Sequence, residues 1–432
     1  MKKRTDRSRR RFLGSLGAAS ILGVNPWMKA VSARAWAGVG ATPPSNHRLV
    51  LINLEGAFDA LSMVRPTSGS LVTAFQALRP TLSAATQPIA LPGVSGFGLH
   101  PSLGLIASEF GAGKCAIVQK VGVPVMQLSH FAAKDLMALG RATHAHPNRK
   151  GWLGRLADLN YQTSLDVMGV GVSAPLILNS TTVKPTSVTN LSNFNLSNFV
   201  HTLETTNRRN VLSQMVAQRF AGDHRIAEHA RGVIARGQTN SNMLTTTGSI
   251  NLSGNYGDPA RENLAKSLPD IARLIAAPGS TSRVFYTASG DFDTHGYEEQ
   301  PGVAAAKPTL TERLDSVMMA ISAFVQDLKS SAINHWNDTA IVIYTEFGRR
   351  NLENQTFGTD HGHGFHMFVL GGQVLGGLKG SPVNASDLAA ENLPQDIDYR
   401  TVFKVILDDW LQVNGAAVFD DFTAPANPPQ LF

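Results

Sequence analysis

The chain has 432 residues, of which 43% are hydrophobic and 16% charged, and its formal net charge is +6. This length and apolar content are sufficient to bury one large core or two modest ones. The single cysteine, Cys115, excludes an intramolecular disulfide and a thiolate metal cluster within one chain.

The first element along the chain is a predicted twin-arginine signal over residues 1–37. Residues 8–13 read Ser-Arg-Arg-Arg-Phe-Leu, and the weakly apolar run that follows is too short for a spanning helix, which needs about 20 residues. Small residues favour cleavage after Ala37. The alternative, a basic arm that binds nucleic acid or a membrane, is disfavoured because the arginine pair, apolar run and cleavage site occur in the order of a signal.

The signal also accounts for the charge of the chain. It carries nine basic residues and one acid, a net charge of +8, which leaves about −2 for residues 38–432. The basic isoelectric point arises from the signal and is therefore no evidence for a nucleic-acid partner. We expect the twin-arginine translocase to export the mature protein to the periplasm or beyond the cell, with no stable membrane span. Because this route carries folded proteins that often take up a metal first, a metal site is worth seeking.

Alternating strand and helix patterns follow. Four short apolar, β-prone runs indicate buried parallel strands: Arg48–Leu54, Cys115–Val121, Arg283–Ala288 and Thr339–Thr345. Four stretches have apolar residues at helical spacing: Ser129–Gly140, Arg261–Ala276, Leu310–Lys329 and Tyr399–Gln412. Pro269 should kink or split the second of these helices. The alternation predicts an α/β fold with three layers, in which a central, largely parallel sheet lies between helices.

Residues 176–260 interrupt this alternation. They are rich in Thr, Ser and Asn at both ends and helical and charged between. We interpret this segment as a cap inserted into a single domain of residues 38–432. A separately folding domain is less favoured because the segment has few large apolar residues.

Three groups of acids and histidines come after predicted strand ends, where open α/β sheets place their sites. The first is Asp59 with Glu55; the second is Asp291, Asp293 and His295; the third is Glu346 with Arg349, followed by Asp360, His361 and His363. Carboxylates and imidazoles at such spacing suit Zn²⁺, Mn²⁺ or Fe.

Each group also has a structural interpretation. Asp59 could cap a helix, Asp291 and Asp293 could form a turn, and the His-Gly-His run at 361–363 could be a solvated loop. The occurrence of all three groups after strand ends favours a metal site.

Six ordered motifs resemble those of the domain of unknown function 1501 family. They are Leu54–Leu61, Ser129-His130-Phe131, Gly151–Arg155, Phe292–His295, Thr345–Arg349 and Gly358–Gly362. Members of that family are typically exported by the twin-arginine route and are similar in fold to the alkaline phosphatase and sulfatase superfamily. The resemblance implies a metal site at the strand ends and a candidate nucleophile, Ser129, at a helix start.

The chain departs from the family pattern at the first strand end. The family usually has a basic residue and a second glycine there, where this chain has Glu55 and Ala57. Either Glu55 or Asp59 could therefore face the site, and Asp291 is an additional acid beside Asp293. Ser129 could equally be a plain N-cap.

The resemblance implies a metal-dependent hydrolase of phosphate or sulfate esters, either small molecules or polysaccharides. Two divalent ions about 4 Å apart, zinc among the candidates, would lower the pKa of the nucleophile and stabilise the attacking and leaving oxygens. Arg349 would clamp the non-bridging oxygens. The alternative is a non-catalytic exported binding or structural protein that keeps the same fold.

Overall fold

The computed structural model describes residues 46–125, 128–191, 250–300 and 308–432, with the isolated residues 210, 211, 214, 217 and 231. The predicted signal at residues 1–37 lies outside these ranges, so export stays a prediction. None of the described helices is both long enough and apolar enough to cross a bilayer.

Nine of the described strands form one mixed sheet. Its strand order is β13-β5-β12-β9-β1-β8-β6-β7, and β14 also pairs with β5. The bounds are β1 (Arg48–Leu54), β5 (Cys115–Gly122), β6 (Val167–Val170), β7 (Thr186–Val188), β8 (Val284–Ser289), β9 (Thr339–Tyr344), β12 (Phe365–Gly371), β13 (Gly377–Lys379) and β14 (Ile397–Asp398). β1 runs parallel to β8 and β9, whereas β12 is antiparallel to its neighbours β5 and β9. The prediction of a largely parallel sheet is confirmed.

Two smaller sheets accompany the large one. They consist of β2 (Val64–Pro66), β3 (Ile89–Ala90) and β4 (Phe97–Leu99), and of the pair β10 (Arg349–Glu353) and β11 (Thr359–His361). In the second pair Arg349 lies opposite His361, so two predicted site residues are cross-strand neighbours.

The described α-helices are α1 (Ala60–Met63), α2 (Gly69–Leu78), α3 (Pro80–Ala85), α4 (Gly104–Gly111), α5 (His130–Leu139), α6 (Trp152–Asn160), α7 (Asn263–Ala276), α8 (Leu310–Lys329), α9 (Ala385–Ala389), α10 (Tyr399–Val405) and α11 (Gly415–Val418). Short 3₁₀ turns occur at Pro101–Leu103, Leu176–Leu178 and Trp336–Asp338, and a π-helical turn, Ile406–Trp410, continues α10. The predicted strands and helices are found close to their expected bounds. α7 is not split at Pro269 but runs through it.

The central strands are covered on both faces. Every residue of β1, β5, β9 and β12 is buried, as expected when helices pack on both sides of a sheet. α7 packs on α8 and on β8, and α4 packs on β5. These layers give the predicted three-layer α/β fold.

The carboxyl ends of the parallel strands meet at one edge of the sheet. Leu54 at the end of β1 pairs with Ser289 of β8, and Asn53 pairs with Tyr344 of β9. The antiparallel strand β12 begins at this edge, and β5 ends there. The segments that carry the three predicted groups therefore leave or enter the sheet side by side.

The two ends of the segment 176–260, which the sequence predicts as an inserted cap, contact the main domain. Thr186–Val188 forms β7, which pairs with β6 in the main sheet. At the other end, the buried Tyr256 donates a hydrogen bond of 2.8 Å from its hydroxyl to Asp327 of α8. Both ends of the segment therefore belong to the main domain, and most of the part between them, residues 192–249, lies outside the described residues.

Candidate metal centre

Three imidazoles converge on one carboxylate oxygen. The Nε2 atoms of His130, His295 and His361 lie 3.4, 3.2 and 3.3 Å from Asp293 Oδ1. His130 begins α5, His361 ends β11, and Asp293 and His295 lie in the turn after β8. Ligand atoms of His130, Asp293 and His361 all lie within 4.8 Å of one another. The sheet edge therefore gathers these four side chains from three separate segments.

The tautomer of each imidazole follows from its second nitrogen. The Nδ1 atoms of His130, His295 and His361 face Glu346 Oε1 at 2.7 Å, Asp360 Oδ1 at 3.3 Å and the Leu128 carbonyl at 2.7 Å. A carbonyl oxygen or a carboxylate only accepts, so each Nδ1 donates its proton. In the neutral imidazoles each Nε2 then carries a lone pair, the state in which histidine binds metals.

The spacing of these atoms fits a divalent cation. A tetrahedral ion with ligands at about 2.0–2.1 Å separates neighbouring ligand atoms by roughly 3.4 Å. The Nε2 atoms of His295 and His361 lie 2.9 Å apart and His130 Nε2 lies 3.4 Å from Asp293 Oδ1, and the group whose ligand atoms all lie within 4.8 Å of one another consists of His130, Asp293 and His361. His130 Nε2 is buried and has no hydrogen-bond partner of good geometry. The donor set of imidazole and carboxylate is one that zinc accepts.

A proton competes with a cation for this position. The carboxylates of Asp293 and Glu346, one on each side of the His130 ring, raise the pKa of His130 to about 9 despite partial burial. Burial raises the pKa of Asp293, but the neighbouring His130, His361 and Arg349 side chains outweigh burial and leave that pKa well below its usual range. In the absence of a cation, the centre therefore holds a proton on His130.

Glu346 fixes the position of His130 by accepting a hydrogen bond from its Nδ1. Its carboxylate is buried and also accepts hydrogen bonds from the Gly56 amide at 2.9 Å and the Thr345 hydroxyl at 2.9 Å. Gly56 has a φ of +114°, and a Cβ there would lie 2.6 Å from the Asp293 amide nitrogen. Glycine at this position therefore permits the close packing of two site loops. Glu346, predicted as a ligand, is placed as the hydrogen-bond acceptor of His130 Nδ1.

Arg349 differs from its predicted role as a clamp on substrate oxygens. Its side chain is fully buried, and its guanidinium donates to the carbonyls of Ala57 and Thr359 at 2.7 and 2.9 Å and to Asp293 Oδ1 at 2.7 Å. Two further carbonyls, those of Gly56 and Phe292, accept from its Nη2. The loops thus occupy its donors, and its contact with Asp293 Oδ1 orients that carboxylate.

Asp59 is also placed away from the four converging side chains. Its buried carboxylate pairs with Arg79, which offsets the cost of burial and lowers the pKa of Asp59. The buried Glu298 is hydrogen-bonded to Asp59, and burial together with that neighbouring charge raises the pKa of Glu298 well above its usual range. Glu298 Oε2 accepts from the hydroxyls of Thr294 and Thr359 at 2.9 and 2.8 Å, which ties the two ligand-bearing segments together.

The other predicted acids and His363 have separate surroundings. Glu55 pairs with Lys134 at 3.0 Å, and Asp291 lies in the turn with a left-handed φ of 70°. Asp360 supports His295 and accepts a hydrogen bond from Asn354 at 3.1 Å. Burial lowers the pKa of His363, whose charged neighbours are Glu391 and Arg350, and His363 is not in the group formed by His130, Asp293 and His361.

Ser129 and His130 come directly after the loop that follows β5. Ser129 is exposed at the N-cap position of α5, where its hydroxyl makes no capping hydrogen bond. It lies between Leu128, whose carbonyl accepts from His361, and His130. His130 was not among the predicted ligands. The sequence feature that could have identified His130 is its position next to Ser129, at the start of a helix that follows a buried strand.

Comparisons with known proteins return distant matches among solved structures. No curated protein matches the chain. Among solved structures, a protein in the alkaline phosphatase superfamily from Vibrio parahaemolyticus aligns with 9% identity over 82% of this chain and 71% of its own, with a TM-score of 0.31. The lipoteichoic acid synthase LtaP from Listeria monocytogenes aligns with 9% identity over 79% of this chain and 71% of its own, with a TM-score of 0.27.

These scores are low, and the fold class of the chain rests on its own strand order. Residues 101–418 match the family described as "Protein of unknown function (DUF1501)", and the chain belongs to that family.

Proposed function

We propose that the protein is an exported, metal-dependent hydrolase of phosphate or sulfate esters. The observation that carries this proposal is the convergence of three Nε2 atoms on Asp293 Oδ1, with each Nδ1 proton held by an oxygen. Histidines oriented in this way are typical of metal ligands with their supporting acceptors. His130, Asp293 and His361 would hold the ion, and His295 would complete the set.

A divalent cation in this place would supply Lewis acidity, which polarises an ester oxygen and lowers the pKa of a nucleophile. The side chain of His295 is 46% exposed, compared with 19% for His361 and 21% for His130. The centre is therefore open to solvent on the side of His295, and a substrate would approach there.

Ser129 is the candidate nucleophile of this proposal. Its hydroxyl is exposed, uncommitted to capping, and adjacent along the chain to His130. It stands at the amino end of a ten-residue helix, where the helix dipole and unpaired N–H groups favour an anionic oxygen. Glu346, Asp360 and the Leu128 carbonyl orient the imidazoles, and Arg349 orients Asp293.

The test is turnover of phosphate monoesters, phosphate diesters and sulfate esters by the exported protein with Zn²⁺ or Mn²⁺. We expect Ser129→Ala and His361→Ala to lower kcat/KM by at least about 1,000-fold, and His363→Ala to have little effect because it lies away from the centre. If the protein binds one cation per chain yet hydrolyses none of these esters, the non-catalytic binding protein is the better account.

A further inference from the structure

A cavity of about 150 Å³ opens beside the metal centre, at the same edge of the sheet. By the same measure one water needs roughly 10–15 Å³, so the cavity can hold a small organic group. Its walls come from the ends of β1 and β9, from Tyr286 in the middle of β8, from α5 and from the turn at residues 175–177. The described residues thus form a second recess next to the centre.

Helix α5 joins the cavity to the centre. His130 in its first turn faces the converging side chains, and Lys134, Met137 and Ala138, at spacings of one and two turns, line the cavity. Glu346 contributes to both, because it lines the cavity and accepts the His130 Nδ1 proton. A substrate whose ester group lies at the centre would therefore need only a short linkage to place its alcohol part in the cavity.

The cavity wall carries polar atoms with unused hydrogen-bonding capacity. Asn53 Oδ1 is buried and has no partner, although its Nδ2 donates to the Tyr286 hydroxyl oxygen at 3.4 Å. The Tyr286 hydroxyl therefore retains its own proton to donate, and burial raises its pKa, which keeps it protonated. Within the described residues the hydroxyl of Tyr344, a residue 3% exposed, has no protein partner. The wall thus offers two donors and one acceptor.

The charges around the cavity disfavour an anionic occupant. Lys134 is the cation of the wall, and its Nζ is paired with Glu55 at 3.0 Å. The remaining charged residues there, Asp135 and Glu346, are acids. Two aromatic rings and the side chains of Leu176 and Ile177 provide apolar area. Neutral hydroxyl groups beside aromatic and aliphatic surface match this combination.

From these observations we infer that the cavity binds the alcohol part of the substrate as a neutral, hydroxyl-rich group such as a sugar ring or another polyol. The inference rests on the proposed function, for which it names the substrate class. Esters of polyols would then be preferred over aryl esters, because only the former satisfy Asn53, Tyr286 and Tyr344 together.

The test measures binding of two polyol probes, methyl α-D-glucopyranoside and glycerol, to the exported protein by ligand-observed NMR. We expect saturable binding that weakens about 5-fold in Tyr286→Phe and in Tyr344→Phe, since each loses one hydrogen bond. Tyr161→Phe is the matched control: its hydroxyl is buried without a partner and outside the cavity. In turnover, both cavity variants should lower kcat/KM on glucose 6-phosphate by about 5-fold and leave it unchanged on phenyl phosphate.

Binding and turnover separate the two proposals. If neither probe binds saturably, or if both cavity variants bind as tightly as the unmodified protein, the cavity is not a polyol site. If a probe binds and both variants weaken it while no ester is hydrolysed, the polyol site stands and the hydrolase proposal fails.

Discussion

The Nε2 atoms of His295 and His361 lie 2.9 Å apart, although the Nδ1 of each ring donates its hydrogen bond to an oxygen elsewhere. Two lone pairs at this distance repel each other unless a cation or a proton lies between or beside them. The Asp293 carboxylate adds a negative charge to the same place. The geometry is therefore stable when a positive charge occupies it, which is the basis of the metal prediction.

The first prediction concerns the ligands. His130→Ala and His361→Ala should each lower cation affinity by more than about 100-fold, because loss of a ligand exceeds the 10–100-fold effect of losing its supporting partner. Glu346→Gln, which weakens the acceptor for His130 Nδ1, should lower affinity by about 10-fold. Titration of metal-free protein with Zn²⁺ in a competing chelator measures these affinities.

His363→Ala serves as the control for the ligand variants. Its side chain lies near Glu391 and Arg350, so affinity should not change. Equal losses in His363→Ala and His361→Ala would mean that the ion, if bound, is held elsewhere.

The second prediction concerns Arg349. Arg349→Met should lower the free energy of unfolding by about 3–5 kcal/mol, because it leaves buried carbonyls without donors and Asp293 without its buried cation. Arg350→Met, at a neighbouring residue with an exposed ion pair to Glu391, should cost less than about 1 kcal/mol. Urea unfolding measures both. An Arg349→Met protein with unchanged stability and weakened phosphate binding would support the clamp role instead.

The third prediction is a pH dependence of stability. His366 is fully buried, and burial lowers its pKa to about 4. In the unfolded chain the pKa is about 6.5, so between these values the unfolded state binds more protons. The stability from neutral His366 is complete above about pH 6.5 and falls by about 3 kcal/mol as the pH drops to about 4.

His366→Asn isolates this contribution, since it keeps an acceptor for the Lys120 amide and cannot titrate. The difference in unfolding free energy between the two proteins, measured with chelator present, should shrink from pH 7 to pH 4. A difference that stays constant over that range would show that His366 is not buried in neutral form.

Several elements were predictable because their signal is local. Arg48–Leu54 was predicted with the bounds that β1 has, since a strand buried on both faces is an uninterrupted apolar run. Asp293, His295 and His361 were identified as candidates because they follow strand ends, and strand ends are where open sheets place their sites.

Other features depend on contacts that sequence order does not show. Asp59 forms an ion pair with Arg79, which is 20 residues further along the chain, and this pair holds the Asp59 side chain in the core. The Nε and Nη2 donors of Arg349 are taken by carbonyls of loops more than 50 residues away in sequence. Ala57 adopts a left-handed φ of 59°, a conformation that glycine adopts with less strain.

The fourth prediction concerns export. Changing Arg9 and Arg10 to Lys should leave uncleaved precursor in the cytoplasm, because the arginine pair is the feature that the twin-arginine route reads. Fractionation of the cells followed by immunoblotting measures this. An equal amount of mature protein in the periplasmic fraction of the double variant would contradict the predicted signal.

The most direct test of the metal centre is the divalent metal content of the folded, exported protein, measured together with its melting temperature. Within the described residues, His130, Asp293 and His361 form a single candidate group, so about one ion per chain is expected. Chelation should lower the melting temperature, since the ion binds the folded state, and His361→Ala should remove the ion and the effect of chelator. Folded protein that contains no divalent metal, and whose melting temperature is the same with and without chelator, would contradict the metal centre and the hydrolase proposed from it.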